Sequence, residues 1–239
     1  MGFSTSVFRS LSLALCDMKS IVACLVLCLS NHSLPAQPVT PPSSEADVTG
    51  AAMTLMEIVR ETKDPDAKWR AIWALRDLRY KNAASLLLEC LKDDHPYVRR
   101  NAARALGDLR IQTASAPLID LLKQERDGGV IEQTSLALTL LQAHEAVPVL
   151  KPCANHESLQ TRVWVLQAIG NLGSRADVPF LAKHLNASEM LERASAAQGI
   201  ENLANVDFEF PKVGGIYNPE AAIKRAKDWW EKNKSAFSK

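Results

Sequence analysis

The sequence has little of what nucleic-acid binders, transmembrane proteins and most enzymes depend on. It has no excess of positive charge. Arg9, Asp17 and Lys19 are the only charged residues up to position 36, and the rest of the 28 basic and 27 acidic residues balance to zero. Affinity for nucleic acid comes largely from neutralising phosphates, so this balance argues against such a partner. Cysteine is scarce: three of the five (Cys16, Cys24, Cys28) fall in the first 28 residues, leaving Cys90 and Cys153 as the one potential pair in the rest. No Ser-His-Asp ordering, glycine-rich phosphate loop or arguable carboxylate pair is present. The apolar run Ile21–Leu29 is far short of the roughly 20 residues that cross a bilayer.

What is there begins with that run. It follows Lys19 and precedes Ser33-Leu34-Pro35-Ala36, as the apolar core of a secretory signal precedes a small-residue cleavage site. Residues 1–36 are therefore expected to be a signal peptide, with Met18 a candidate true start. An uncleaved anchor stays open. So does a lipoprotein box at Ile21–Cys24, although most of the apolar run follows that box instead of preceding it. Residues 37–48 are rich in Pro and Ser and read as a flexible linker.

From there the chain repeats. Leu75, Leu106, Leu138, Ile169 and Ile200 recur at 31 or 32 residues, and so do Leu78, Leu109, Leu141, Leu172 and Leu203. Ala74, Ala105, Ala137, Ala168 and Gly199 precede the first column, and Pro117, Pro148 and Pro179 mark another. The one longer step has a visible cause, the turn-like stretch Gln124–Gly129 with an extra residue. Val98, Ala102, Ala105, Leu106 and Leu109 share one face of a first helix over about 98–109. A second helix covers about 116–123, with the prolines suited to its first position. The small-residue columns let neighbouring helices come close, and stacked hairpins bury stripes that one hairpin cannot. The expected fold is all-α: a right-handed α-α superhelix of about five helical hairpins with capping helices. Thr49–Glu61 should form the N-terminal cap, with Met53, Leu55, Met56 and Val59 available for packing. A C-terminal cap is expected at 219–234, started by Asn218-Pro219. Asn205–Tyr217 should be a loop or strap.

Residues 94–107 (Asp-His-Pro-Tyr-Val-Arg-Arg-Asn-Ala-Ala-Arg-Ala-Leu-Gly) resemble the core of a short HEAT repeat of the phycobilin-lyase type. The resemblance spans about 64–205 within a domain at 49–239, and it implies a docking surface. Arg99 shares its column with Lys68, Ile131, Arg162 and Arg193. The third unit, with Ile131 and Thr139, departs most from the pattern, so a local distortion is expected there.

Two His-Glu pairs, His144-Glu145 and His156-Glu157, invite comparison with deoxyhypusine hydroxylase, a HEAT-like enzyme family that binds two irons through such pairs inside first helices. The matching positions here are Arg100-Asn101, Glu132-Gln133, Val163-Trp164 and Ala194-Ser195, and none is His-Glu. Pro148 and Gln160 also break the zinc-protease pattern. Both pairs read as turn residues. Cys90 and Cys153 lie in second helices two repeats apart, roughly 20 Å at ordinary helix spacing, which rules out a disulfide. They should be buried small hydrophobes. Trp69, Trp73 and Trp164 read as core, with a binding platform as the alternative. Trp230 should dock the C-terminal cap and Trp229 be partly exposed.

The second helices should line the concave surface, with Glu89, Asp120, Lys151 and Ala182 in an outward row and Lys92 and Lys123 one turn on. Signs alternate along that row, which disfavours an acidic polymer and suits a protein. The expected function is a non-catalytic exported scaffold binding another protein through Glu89, Asp120, Lys123 and Lys151. It uses no cofactor or metal, and no membrane insertion follows leader removal. The location is periplasmic or extracellular. An enzyme or enzyme accessory of the bilin-lyase-like group and a structural subunit of an envelope assembly are the alternatives.

Overall fold

A computed structural model describes residues 45–210 and 219–237. The expected signal peptide, most of the linker and Asn218 lie outside the described residues. The chain divides at Tyr80/Lys81 into two units.

In the first unit, α1 (Glu45–Glu61) packs against α2 (Pro65–Asp77). Helix α1 starts four residues before the expected Thr49, so the linker is shorter than expected; Glu45 and Ala46 are both good helix formers. Ala52, Leu55 and Val59 form its buried stripe, while Met53 falls outside that phase and is 56% exposed. Asp64 caps α2 by accepting the Asp66 and Ala67 N–H groups, and Pro65 opens the helix where no N–H is needed. Ala71, Ile72, Ala74 and Leu75 are buried. Trp73 projects from the other side of α2, and at 45% exposure it is not core.

The second unit contains α3 (Ala84–Cys90), α4 (Pro96–Asp108), α5 (Ser115–Gln124), α6 (Gly128–Leu141), α7 (Val147–Cys153), α8 (Leu159–Leu172), α9 (Val178–His184), α10 (Met190–Ala204) and α11 (Glu220–Asn233). The first helices α4, α6, α8 and α10 stack in succession, and each second helix packs on the first helix of the next unit. A 3-10 turn leads directly into each of α3, α5, α7 and α9. Pro117, Pro148 and Pro179 therefore sit two or three positions into their helices, where the N–H is still an orphan of the first turn. The apolar columns behave as expected: Leu75, Leu106, Leu138, Ile169 and Ile200 are all fully buried.

Close approach sets the stacking. A Cβ on Gly170 would stand 2.5 Å from the Gly199 Cα, and one on Gly107 would stand 2.6 Å from the Ala137 Cα. Thr139 takes the matching place between α6 and α8. The third unit departs in two further ways. Gly128 and Gly129 lie inside the first turn of α6, not in a turn before it, because Asp127 caps that helix through the Val130 N–H at 2.9 Å. Thr134 and Ser135 are buried at core positions. Ser135 donates to the Ile131 carbonyl, but Thr134 Oγ1 has no partner. Ala102, Val165 and Ala196 hold the Thr134 position in the other units of this half.

The fifth unit has no second helix of its own among the described residues. Helix α10 ends at Asn205 in the left-handed region, φ 54°, and α11 packs against α10 in that helix's place. Its span agrees with the expected cap, although Pro219 precedes the helix instead of entering it. Trp229 and Trp230 are both half-buried. Each meets Phe237, and Trp229 also meets Phe208, which is how neighbouring residues on one helix both find cover.

Gly170→Ala should lower stability by about 1–3 kcal/mol, because the new methyl meets backbone that cannot give way locally. Gly50→Ala in exposed α1, where nothing lies within 4 Å, should instead raise it by about 0.5–1 kcal/mol. Urea melts of both variants check the opposite signs. Thr134→Val removes an unpartnered buried hydroxyl at nearly constant shape and should stabilise by about 1 kcal/mol; an unchanged or lower melting temperature refutes that reading.

Candidate protein-docking groove

The joints between repeats are held by one column of arginines. Arg99 directs Nη1 to the Asp93 and Asp94 carbonyls, both at 3.0 Å, and makes a two-pronged pair with Glu125 at 2.8 and 2.9 Å. Arg162 repeats this on the His156 and Glu157 carbonyls and on Glu192. Arg193 repeats it on the Ala187 and Ser188 carbonyls and on Glu220. Each arginine thus reaches the carbonyls six and five residues before it, in the loop that joins two units, and a glutamate that follows it. These loop carbonyls lie outside any helix ladder and need such partners. Ile131 cannot do this. The carbonyl five residues before it, Arg126 O, instead meets His156 Nε2 at 3.2 Å. His156 Nδ1 accepts the Ser158 N–H, so Nε2 carries the proton and donates. His144 Nδ1 lies 2.7 Å from the Leu172 carbonyl, to which it can only donate. Both histidines of the His-Glu pairs are therefore joint-holding groups, placed in the turns where the sequence put them.

At the first arginine joint of the second unit lies an open groove of about 580 Å³, lined by residues of α3, α5, the loop between α3 and α4, and the first turn of α4. Leu91 and Leu121 are buried and form its floor with half-buried Leu88 and Pro117. Lys92, Asp93, Asp94, Asp120, Gln124 and Glu125 form its walls and rim, and Arg99 lies behind them. Burial pushes the Glu125 carboxyl up, but the Arg99 guanidinium and the Asp127 and Arg126 amides outweigh it, and the group ionises below the ordinary range. The hydrogen bonds that Arg99 donates to Glu125 raise the Arg99 pKa in turn. The pair is a fixed wall, not a titrating site at neutral pH.

The expected row of contact residues separates here. Asp120 lines the groove; Glu89 and Lys123 are exposed on the same two helices, α3 and α5. Lys123 reaches Asp120 at 2.7 Å. Lys151 does not point outward: its Nζ meets Asp177 at 2.6 Å and lies over the Phe180 ring. Asp177 is within its reach because a capping box with Ser174 holds it there. Ala182 is buried, since α9 lies against α10. Sequence reasoning missed Asp93, Asp94, Gln124 and Glu125, which lie at loops and a helix end outside the periodic row. The Arg99 column was the available signal, because it names the loops that the arginines fix.

Elsewhere, Cys90 is buried and Cys153 is half-buried, and both are thiols. Burial raises the Cys153 pKa, which makes it a poor nucleophile. Trp69 and Trp73 stack at 6.1 Å, with Arg70 and Arg76 over their faces; Trp164 is half-buried. Among the described residues no group of three or more His, Cys, Asp or Glu is placed to hold a metal ion, and no helix is long and apolar enough to cross a membrane.

Paired helices stacked unit on unit, with each unit touching its neighbours, define an α-solenoid. Residues 52–139 match the HEAT repeats family. The chain is similar in structure to the complex of CpcE and CpcF of phycocyanin lyase from Nostoc, with 19% identity, 84% of this chain and 99% of that chain covered, and a TM-score of 0.50. It is also similar to an engineered protein, with 18% identity, 91% of this chain and 64% of that one covered, and a TM-score of 0.51. At these identities the likeness concerns the fold. No curated protein matches the sequence.

Glu125→Gln should cost about 1–3 kcal/mol near pH 7, because the two-pronged pair loses its charge. The folded-state pKa of Glu125 is depressed, so its stabilisation is complete above the unfolded value of about 4.3 and is lost as the pH falls through the lower folded value. The gap between wild type and variant should therefore close on acidification. Urea melts from pH 7 to pH 3 test this, and a gap independent of pH refutes it.

Proposed function

We propose that this chain is a non-catalytic exported scaffold that docks a protein partner through the second-helix side of its repeats. The observation that carries this reading is the groove between α3 and α5. It has an apolar floor and a charged rim, and its walls are held by Arg99 and Glu125. Apolar floors with polar rims are the usual anatomy of protein contact sites. The groups best suited to catalysis are engaged elsewhere: His144 and His156 hold joints, and the Cys153 thiol is pushed away from its reactive form. Export rests on the apolar run Ile21–Leu29 and the small residues before Gln37, and it implies a periplasmic or extracellular partner. A second reading, an accessory of a lyase-like enzyme, draws on the likeness in fold to the phycocyanin lyase complex.

The test is site-specific photo-cross-linking in cells. With p-benzoylphenylalanine in place of Gln124 on the groove rim, one discrete protein adduct should form. The same group in place of exposed Glu231 on α11 should give none. No adduct at 124, or equal adducts at both sites, overturns the docking reading. Stoichiometric iron or zinc in the purified protein would overturn the non-catalytic one.

A further inference from the structure

We infer that the groove between α3 and α5 selects a cationic amphipathic segment of a partner protein, an assignment that rests on the docking reading above. The charge of the groove differs from that of the chain. The whole sequence is nearly neutral, at +1, yet the lining holds four carboxylates (Asp93, Asp94, Asp120, Glu125) against two cations, Lys92 and Arg99. Arg99 is not available to an incoming anion. Its Nε, Nη1 and Nη2 donors are directed at Glu125 and at two loop carbonyls. That leaves Lys92 as the cation on the rim. Lys123 stands beside the groove, paired to Asp120 within one turn of α5; such exposed pairs hold weakly and exchange partners readily.

Asp94, in the loop after α3, and Asp120, on α5, are both exposed and both line the groove beside the apolar floor. An occupant with lysine or arginine side chains flanking a leucine-like anchor meets both demands at once. The anchor covers Leu88, Leu91, Pro117 and Leu121, and the cations reach Asp94 and Asp120. An acidic segment meets the opposite field, and a purely polar basic segment leaves the floor open to water. The floor thus contributes affinity through apolar burial, and the rim sets the sign of the partner.

The experiment uses the purified full chain and three fluorescein-labelled 14-residue peptides, read by anisotropy. One is built of Lys and Leu with Leu at helical spacing, one of Glu and Leu in the same pattern, and one of Lys and Ser. The Lys/Leu peptide should bind at least tenfold tighter than either of the others. The double variant Asp94→Lys, Asp120→Lys should weaken its binding at least tenfold. The double variant Asp228→Lys, Glu231→Lys makes the same change in net charge on exposed α11, away from the groove, and should leave binding within twofold. Equal weakening by both double variants would show a general charge effect and overturn the assignment. So would equal binding of the Glu/Leu peptide. If photo-cross-linking at position 124 captures a protein while the peptides show no preference, docking stands and the cationic assignment falls. If no protein is captured either, the docking reading falls with it.

Discussion

Arginine contacts at the joints govern this structure more than any single packed surface. A repeat array has no long-range contacts to correct an error, because each unit touches only its neighbours. The angle at each joint therefore propagates to every later unit. Arg99, Arg162 and Arg193 fix that angle by tying the loop carbonyls before them to a glutamate after them. The glycines and alanines of α4, α6, α8 and α10 then set how close the stacked helices come. The two devices differ in kind: contact at Gly170 and Gly199 is steric and leaves no room for adjustment, whereas the arginine bonds are directional and choose one loop conformation.

The third unit shows what happens when the arginine is missing. Ile131 stands in the arginine column, and Thr139 stands where the units on either side have Gly107 and Gly170. The array is not broken there, because His156 of the next unit donates to Arg126 O, in the place where an arginine would have bonded. The core of this unit also carries two hydroxyls, Thr134 and Ser135, at positions that hold Ala, Val or Leu in neighbouring units. A histidine that looks catalytic in a list of residues is better explained as the replacement for a missing structural side chain.

The fold was legible because its signal is redundant: five residues in each column report the same environment, so one departure does not hide the pattern. The columns located the repeat helices and the odd unit. The site was legible only in part. Asp120, Glu89 and Lys123 follow from helical phase alone. Periodicity placed Lys151 in the outward row, but its long side chain reaches Asp177 in the inter-helix turn of the next unit, and periodicity does not describe such reach. Trp73 failed because an aromatic residue at helical spacing fits the core or the opposite side, and only the phase against Ala71 and Leu75 decides. Asp93, Asp94 and Glu125 stayed hidden because their placement depends on hydrogen bonds to Arg99, and Gln124 because it lies in the part of α5 beyond the length of the other second helices.

The groove lies beside the longest of the second helices. Helix α5 has ten residues, whereas α3, α7 and α9 have seven each. Its extra turn carries Leu122, Lys123 and Gln124 past the point where the other second helices end, and it brings Glu125 within reach of Arg99. The inserted residue that lengthens this one repeat is thus part of the same extension that builds the far wall of the groove. Arg99 of the same unit pins that wall, and the missing arginine of the next unit, where Ile131 stands, is replaced by His156 from beyond it. The irregular repeat is not a defect tolerated by a regular array. It lengthens α5 and, with the Arg99–Glu125 pair, shapes one wall of the groove.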